Sequence, residues 1–430
     1  MVTLKKLYKL IVNRKAIRKI NFFIGLIIVI GLLSPAQWCK IPIGNTYILW
    51  GVAICILYLL PSIIKIFQIP IKSNEYKFIK WFLIWVIIGV IRGCFVASNY
   101  WEVKNILMGF LTCCIPIFAY VFYSPQLSSY LYNRWLKYSI PLFFLFYIWT
   151  LAPGAYNFYL GPLFVIGCFM PLFRKNKKWF WIIGGLLFMM VFIDIGTRSQ
   201  SLKSVITLAF SLLCVYHRFI SNVVIKFIHW GIYIIAITLL VLGISGYFNV
   251  FTDLATNKGK YISKKVEHGQ IIEEDLSADT RTALYIEVIN SAIKNNYVIY
   301  GRSLARGNDS VIFGSVLGED LKTGKFERYR NEFCHPNIFT WLGLIGVILY
   351  SLIYLQSSYL AIYKSKSFYL KIIGLFIAFH WAYGWIEDIN GFDIQNIALW
   401  GAIGIGLSKK FRKMTNIQFK HWINTFLYKI

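Results

Sequence analysis

One polar interval interrupts a chain that is otherwise a succession of apolar segments, and it constrains the fold more than any other feature. Between Asn249 and Cys334 lie 12 of the 18 Asp and Glu residues together with 12 Lys and Arg, so this stretch is near neutral. The net charge of +27 therefore resides almost wholly outside it. The apolar segments run from Ile20 to Leu407, and stretches such as Trp81–Val90 and Gly231–Ile244 are too numerous to share one water-soluble core. Charged residues make up 15% of the chain, against about 25% in soluble domains. The segments read as membrane helices, each needing about 20 mostly apolar residues.

The expected spans are 20–35, 46–65, 79–97, 105–123, 138–152, 157–173, 179–195, 201–216, 227–247, 335–355, 369–385 and 394–408. The expected fold is all-α: a polytopic transmembrane helix bundle of about 12 spans with one large extracytoplasmic loop. The chain divides into spans 1–9 (1–248), the loop (249–334), spans 10–12 (335–408) and a basic tail (409–430). With the N-terminus cytoplasmic, the inward segments hold 28 Lys and Arg, while the short outward loops hold four: Lys40, Lys104, Arg198 and Lys203. That asymmetry predicts both termini inside and the 249–334 loop outside. The first apolar run continues into Ser34-Pro35-Ala36-Gln37-Trp38 without a small-x-small cleavage site, so it reads as a retained span. Basic residues that sit in short clusters between apolar runs orient a membrane protein and do not point to nucleic acid. The tail interleaves aromatics with cations and reads as a surface helix or a disordered topogenic segment.

Three places on the predicted outer face carry candidate chemistry. The turn Asp194-Ile195-Gly196-Thr197-Arg198-Ser199 puts Arg198 at a membrane boundary, and an Arg fork can grip phosphate oxygens bidentately. Asp279 or Thr280 caps an amphipathic helix over Thr282–Asn295, with Arg281 in its first turn. The segment from Arg328 to Gly346 concentrates polar groups, with Glu332 and His335 three residues apart and Pro336 marking a helix start. Arg92 falls within the third span, which makes it a functional candidate by position. Glu387, Asp388 and Asp393 form an acidic patch on the last outer loop, able to bind a hydroxyl or a cation. Glu273-Glu274-Asp275 is the nearest approach to a metal-binding acidic cluster, and a Mg²⁺-dependent nucleotide-sugar site has little support. No Cys-x-x-Cys occurs; Cys39 and Cys334 are the two cysteines that could share the outer face.

Taken in order and sidedness, these features resemble the O-antigen ligase and O-antigen polymerase superfamily of bacterial membrane glycosyltransferases. The matching motifs are Gly196-Thr197-Arg198-Ser199, Arg281 through the turn ending Gly301-Arg302, and Gly343-Leu344-Ile345-Gly346. The family places a His eleven residues before the first Gly of the last motif; here that position is Glu332, and His335 stands three residues later. The resemblance implies a repeat-unit polymerase of the inner membrane that uses an undecaprenyl-pyrophosphate-linked oligosaccharide. It implies Arg198 and Arg281 as pyrophosphate ligands and either His335, from a shifted position, or Glu332 as the group that activates the acceptor hydroxyl; His335 is preferred because an imidazole is near neutral at working pH. Arg302, Glu387 and Asp388 are secondary candidates. No cofactor and no metal is expected, and membrane lipid and a chain-length regulator protein are the expected partners. An O-antigen ligase acting on lipid A core is the alternative within the family. A lipid-linked oligosaccharide flippase is the rival class, and it should carry charges in many spans, whereas Arg92 alone is clearly mid-span.

Overall fold

The computed structural model describes residues 14–39, 41–173, 176–193, 198–245, 262–267, 270–275, 280–311 and 324–427. Its principal helices are α1 (Arg14–Trp38), α2 (Thr46–Ile66), α3 (Lys77–Val96), α4 (Tyr100–Cys114), α5 (Pro125–Leu142), α6 (Pro153–Tyr159), α7 (Pro162–Gly167) and α8 (Lys177–Phe192). They continue with α9 (Arg198–Val215), α10 (Asn222–Ser245), α11 (Thr280–Lys294), α12 (Cys334–Tyr363), α13 (Phe368–Tyr383), α14 (Ile394–Leu407) and α15 (Asn416–Asn424). Six helical stretches among the described residues are long and apolar enough to cross a membrane. Three shorter apolar helices, Gln200–Val215, Phe368–Tyr383 and Ile394–Leu407, join them. The result is a helix bundle of the multi-pass membrane type.

Helix α12 is central, packed by α3, α13 and α14. Trp341, Tyr350, Tyr354 and Trp400 are fully enclosed there. Facing the other way, Ile87, Ile91 and Phe95 of α3 and Phe227, Ile234 and Val241 of α10 are exposed. In a lipid setting such faces are solvated by acyl chains, and packing and hydrogen bonds hold the helices together.

Contacts between helix ends define two ends of the bundle. At one end, Arg412 and Lys409 both bond Glu75 at 3.1 Å, and Lys366 N–H donates to Arg412 O. Tyr130 at the start of α5 reaches Asn21 near the start of α1. At the opposite, distal end lie the starts of α9, α12 and α14 and the loop 384–393. The first and last described helical stretches, from Arg14 and to Leu427, thus meet at the same end of the bundle.

Three sequence expectations change here. The segments 138–152 and 157–173 do not form two regular spans. Helix α5 begins at Pro125, inside a stretch expected as an inward loop, and passes into a π-turn at Phe143–Tyr147. Pro153 and Pro162 then restart short helices of 7 and 6 residues, because a Pro fits a first turn but interrupts a helix interior. The tail is also neither disordered nor loosely laid on a surface. Thr415 and Gln418 form a capping box, and Phe419, Trp422, Ile423 and Phe426 are buried against the bundle. Trp422 Nε1 donates to Pro125 O at 2.9 Å and Asn133 Nδ2 to Phe426 O at 2.7 Å. Finally, Cys39 and Cys334 are not joined: Cys39 Sγ accepts from Ala152 N–H, and Cys334 packs beside Tyr350.

The loop also contains strands. Ile262–Glu267 pairs antiparallel with Gln270–Asp275, setting Glu273 opposite Lys264 and Asp275 opposite Ile262. A two-residue pair joins Asn308–Asp309 to Glu327–Arg328. The amphipathic helix expected from Thr282 is present as α11. Its buried face holds Leu284, Val288, Ser291 and Ala292, and Ile286, Ile289 and Ile293 project outward from the protein.

Candidate functional site

The distal site is built around a break in α12. Gly343 takes φ 68° and ψ −169°, so the helix stops and restarts. A broken helix frees backbone groups that cost several kcal/mol each if unpaired in lipid. Here the turn 298–303 replaces the missing ladder. Leu344 N–H donates to Val298 O at 2.9 Å and Ile345 N–H to Ile299 O at 3.3 Å. In return Thr340 O accepts from Arg302 N–H at 2.7 Å and Trp341 O from Ser303 N–H at 3.3 Å. Leu342 O accepts from Trp85 Nε1 at 2.8 Å. The crossing requires glycine on both strands of backbone. A Cβ on Gly301 would lie 2.5 Å from Gly343 N, and one on Gly343 would lie 2.2 Å from Ile299 O. Two of the family-like motifs, separated in sequence, are therefore two sides of one contact.

Arg92 belongs to this junction. Its guanidinium donates to Tyr300 O at 2.5 Å and Gly301 O at 2.8 Å. Seven residues before it on α3, Trp85 holds the other side of the break. The intramembrane arginine is thus a clamp on the turn, which answers the question its position raised.

Beyond the break, ion pairs hold the loop. Arg302 bonds Asp309 at 2.6 Å and Gly307 O at 2.9 Å, and approaches Glu327 at 3.2 Å. Arg306 makes a bidentate pair with Glu327, and Lys325 bonds Glu102. Burial acts upward on the Asp309 carboxyl, but the Asn295 and Arg302 bonds and nearby cations outweigh it and hold it below the usual range. Arg302 is accordingly committed to the loop's own carboxylates.

The segment 328–337 faces the loop 384–393. Tyr329 points inward, its hydroxyl donating toward Asn105 O and Leu304 O at 2.6 and 3.0 Å. Arg330 points the other way: Nε donates to Asp388 Oδ2 at 2.5 Å and Nη2 to Asn390 O at 3.2 Å. Asn337 bonds both N–H and C=O of Asn331, at 2.6 and 2.9 Å, and reaches Asp388 Oδ2 at 3.3 Å. Asp388 thus fixes Arg330, whose side chain keeps 35% of its surface exposed. Beside it, Lys203 and Gln200 of α9 both hold Glu387, each at 2.8 Å. Lys203 is almost fully buried, and a buried cation of this kind is tolerable only because it is paired.

The two candidate acceptor-activating residues stand in contrasting places. Glu332 is 59% exposed and lies 3.4 Å from Arg328. His335 is fully enclosed beneath Trp381, Trp385 and Tyr350. Its Nε2 lies 2.9 Å from Trp381 O, and since a carbonyl only accepts, Nε2 carries the proton and Nδ1 the lone pair. The side chains of Arg198 and Arg281 lie outside the described residues, but their backbones are placed. Arg198 opens α9 two residues before Gln200, which holds Glu387. Arg281 lies one turn before Tyr285, which stacks on Phe333 at 4.9 Å and bonds Trp385 O. All three sequence motifs therefore meet at the stretch Trp385–Asp388.

Sequence reasoning passed over Arg330, Lys203 and Gln200 as members of this cluster, and it read Asp393 only as part of the acidic patch. The alternation Arg328-Tyr329-Arg330 was the available signal for Arg330. Asp393 caps α14, accepting from Asn396 N–H at 2.8 Å and Asn396 Nδ2 at 2.7 Å. Burial pushes its carboxyl up to about 6 in spite of those bonds and the Arg330 and Lys203 cations. Below about pH 4 it is neutral both folded and unfolded. As pH rises toward 6 the unfolded chain ionises first, and the folded state loses stability. Asp393→Asn keeps the capping oxygen and removes this cost. Its melting temperature should match the wild type at pH 4 and exceed it by a few degrees at pH 7; equal melting temperatures at pH 7 would refute the reading.

No protein-family model, no curated protein and no solved structure matches this chain.

Proposed function

We propose that this chain is a polysaccharide polymerase of the O-antigen or capsule type. It transfers a glycan from undecaprenyl pyrophosphate to a sugar hydroxyl of a second lipid-linked repeat unit, at the outer face of the bacterial cytoplasmic membrane. One observation supports this reading above the others: the starts of α9 and α11 and the segment 328–335 converge on Trp385–Asp388 at one end of the bundle. The 28-to-4 distribution of cations orients that end outward.

The chemistry follows from the residue types gathered there. The acceptor oxygen bonds to the anomeric carbon as the anomeric carbon–phosphate oxygen bond breaks. The electron pair leaves with the pyrophosphate, where Arg198 and Arg281 are assigned to stabilise the developing charge. Arg330, fixed by Asp388, supplies a further partly exposed cation. The hydroxyl proton passes to a carboxylate or imidazole. Exposure favours Glu332 for this step over the enclosed His335. Helix α11 sets Ile286, Ile289 and Ile293 outward, where the prenyl chain of a donor would run.

The test is a reconstituted extension assay with undecaprenyl-pyrophosphate-linked repeat units as the only glycan. Products of two or more repeats, formed equally with and without EDTA, are expected. Transfer only when lipid A core is added would assign the ligase reaction instead. Translocation of the glycolipid with no extension would replace the enzyme reading by a flippase.

A further inference from the structure

A cleft at the opposite end of the bundle, far from Trp385–Asp388, has the chemistry of a lipid seat. It lies between α1 and α5, opens to the outside, has a volume of about 350 Å³, and is lined by Asn21, Ile24, Gly25, Ile28, Tyr130, Arg134 and Tyr138. Its two walls differ. Along α1 the floor is apolar, and at Gly25 nothing lies within 4 Å of where a Cβ would stand, so the groove is open there. Along α5, residues 130, 134 and 138 fall one turn apart and form a single stripe.

That stripe holds one cation in a fixed pose. The Arg134 guanidinium sits over the rings of Tyr130 and Tyr138, 5.0 and 5.7 Å from their centroids. Nη2 donates to Tyr130 Oη and Nη1 to Tyr138 Oη, both at 2.7 Å. Tyr130 in turn donates to Asn21 Oδ1 at 2.6 Å. These two bonds use two of the five N–H donors of the fork. Among the described residues no carboxylate pairs with Arg134, in contrast to Arg302, Arg306, Arg330 and Arg412. A guanidinium beside an apolar groove with no protein anion invites an anion from outside.

The surroundings select which anion. Arg14 and Arg18 are exposed on the same stripe of α1 as Asn21, Gly25 and Ile28. Lys137 Nζ stands 5.6 Å from the Tyr138 ring. Read along that stripe of α1 from its start, the surface passes from the exposed cations beside the cleft, through the Asn21 amide at its rim, to the aliphatic floor, the order of a phospholipid from headgroup to acyl chain. A soluble phosphate would satisfy Arg134 but leave the Gly25–Ile28 groove uncovered. Juxtamembrane cations of this kind each contribute about 1 kcal/mol toward acidic lipid.

We propose that this cleft binds an acidic phospholipid in the leaflet at the N-terminal end of the bundle. Its phosphate lies on Arg134, and one acyl chain lies along Ile24, Gly25 and Ile28. The site is separate from the glycosyl-transfer reading and stands or falls without it.

The experiment is native mass spectrometry of the purified full-length protein in mild detergent, titrated with dioleoyl phosphatidylglycerol, dioleoyl phosphatidylcholine or glycerol 3-phosphate. Phosphatidylglycerol should be retained about five- to tenfold better than phosphatidylcholine. Arg134→Ala should erase that preference. Gly25→Leu leaves the cation in place and fills the floor, so it should lower retention of both lipids; it decides the matter if the arginine variant fails to fold. Equal retention of the two lipids by the wild type overturns the proposal, as does unchanged phosphatidylglycerol retention in Gly25→Leu. Glycerol 3-phosphate binding as tightly as phosphatidylglycerol would make this an anion site and overturn the lipid assignment.

Discussion

Gly343→Leu should eliminate the folded protein from detergent extracts or lower its melting temperature sharply, more than any other single substitution in α12. Two costs add. Positive φ is unfavourable for an L-residue by roughly 1–2 kcal/mol. The new side chain would also start 2.2 Å from Ile299 O and 2.4 Å from Gly301 N, where the neighbours are backbone and cannot swing aside. Relief would require withdrawing the turn 298–303, which unpairs the carbonyls of Thr340 and Trp341 and the N–H groups of Leu344 and Ile345. Each such group costs several kcal/mol in a dry environment. Gly231→Leu is the control, because a Cβ there meets nothing within 4 Å, and it should extract and melt like the wild type. Fluorescence-detected gel filtration with a thermal ramp measures both. A Gly343→Leu protein that melts like Gly231→Leu would mean that the crossing of the two segments is wrong.

The same junction shows what the sequence could and could not convey. Hydropathy located α2 and α3 within two residues and the middles of α1, α10 and α12, whose ends run up to eight residues further, because it reports whether a segment tolerates acyl chains along its length. It did not report where α12 breaks, because that depends on backbone groups supplied from 298–303 and an indole N–H from Trp85. Glycines at 301 and 343 were visible as motifs, but their mutual contact was not, since nothing local in either stretch names the other. Arg92 drew attention as a cation at membrane depth, and its partners, two carbonyls some 208 residues away in sequence, could not be read from its surroundings in the chain. Between Leu142 and Phe173 the apolar content was read correctly and the regularity was not. Pro153 and Pro162 outweigh hydrophobicity there because a missing N–H and a fixed φ act on the helix directly. At the distal end, Glu387 and Asp388 were noticed as an acidic patch. Of their cations, Lys203 was in view only as a topological charge, and Arg330 only as one of the polar groups before α12. Pairing is a tertiary fact, and the patch looks solvated until those partners are in place.

Arg198→Ala and Arg281→Ala should each abolish polymer formation while leaving expression near normal, and Lys at either position should rescue poorly because it lacks the bidentate fork. The sharper contrast lies between Glu332 and His335, which make opposite demands on the fold. His335 is sealed under Trp381, Trp385 and Tyr350, and its Nε2–H supplies a bond to Trp381 O. Removing it opens a cavity at the head of α12 and leaves that carbonyl short of a donor. Truncating a buried side chain of this size typically costs about 2–5 kcal/mol. His335→Ala should therefore melt clearly below the wild type, and any loss of turnover should recover in part on cooling. Glu332 is mostly exposed, its contact with the largely buried Arg328 is long at 3.4 Å, and a Gln in its place keeps an acceptor oxygen for that guanidinium. Glu332→Gln should keep the wild-type melting temperature. If Glu332 takes the acceptor proton, turnover should nevertheless fall by about 10²–10⁴-fold, with donor binding intact. A Glu332→Gln protein that polymerises at full rate, beside a folded but inactive His335→Gln protein, would return the base to the imidazole. The cage of Trp381 and Trp385 would then have to open in the working enzyme, because no sugar hydroxyl reaches Nδ1 while those rings stand where they do.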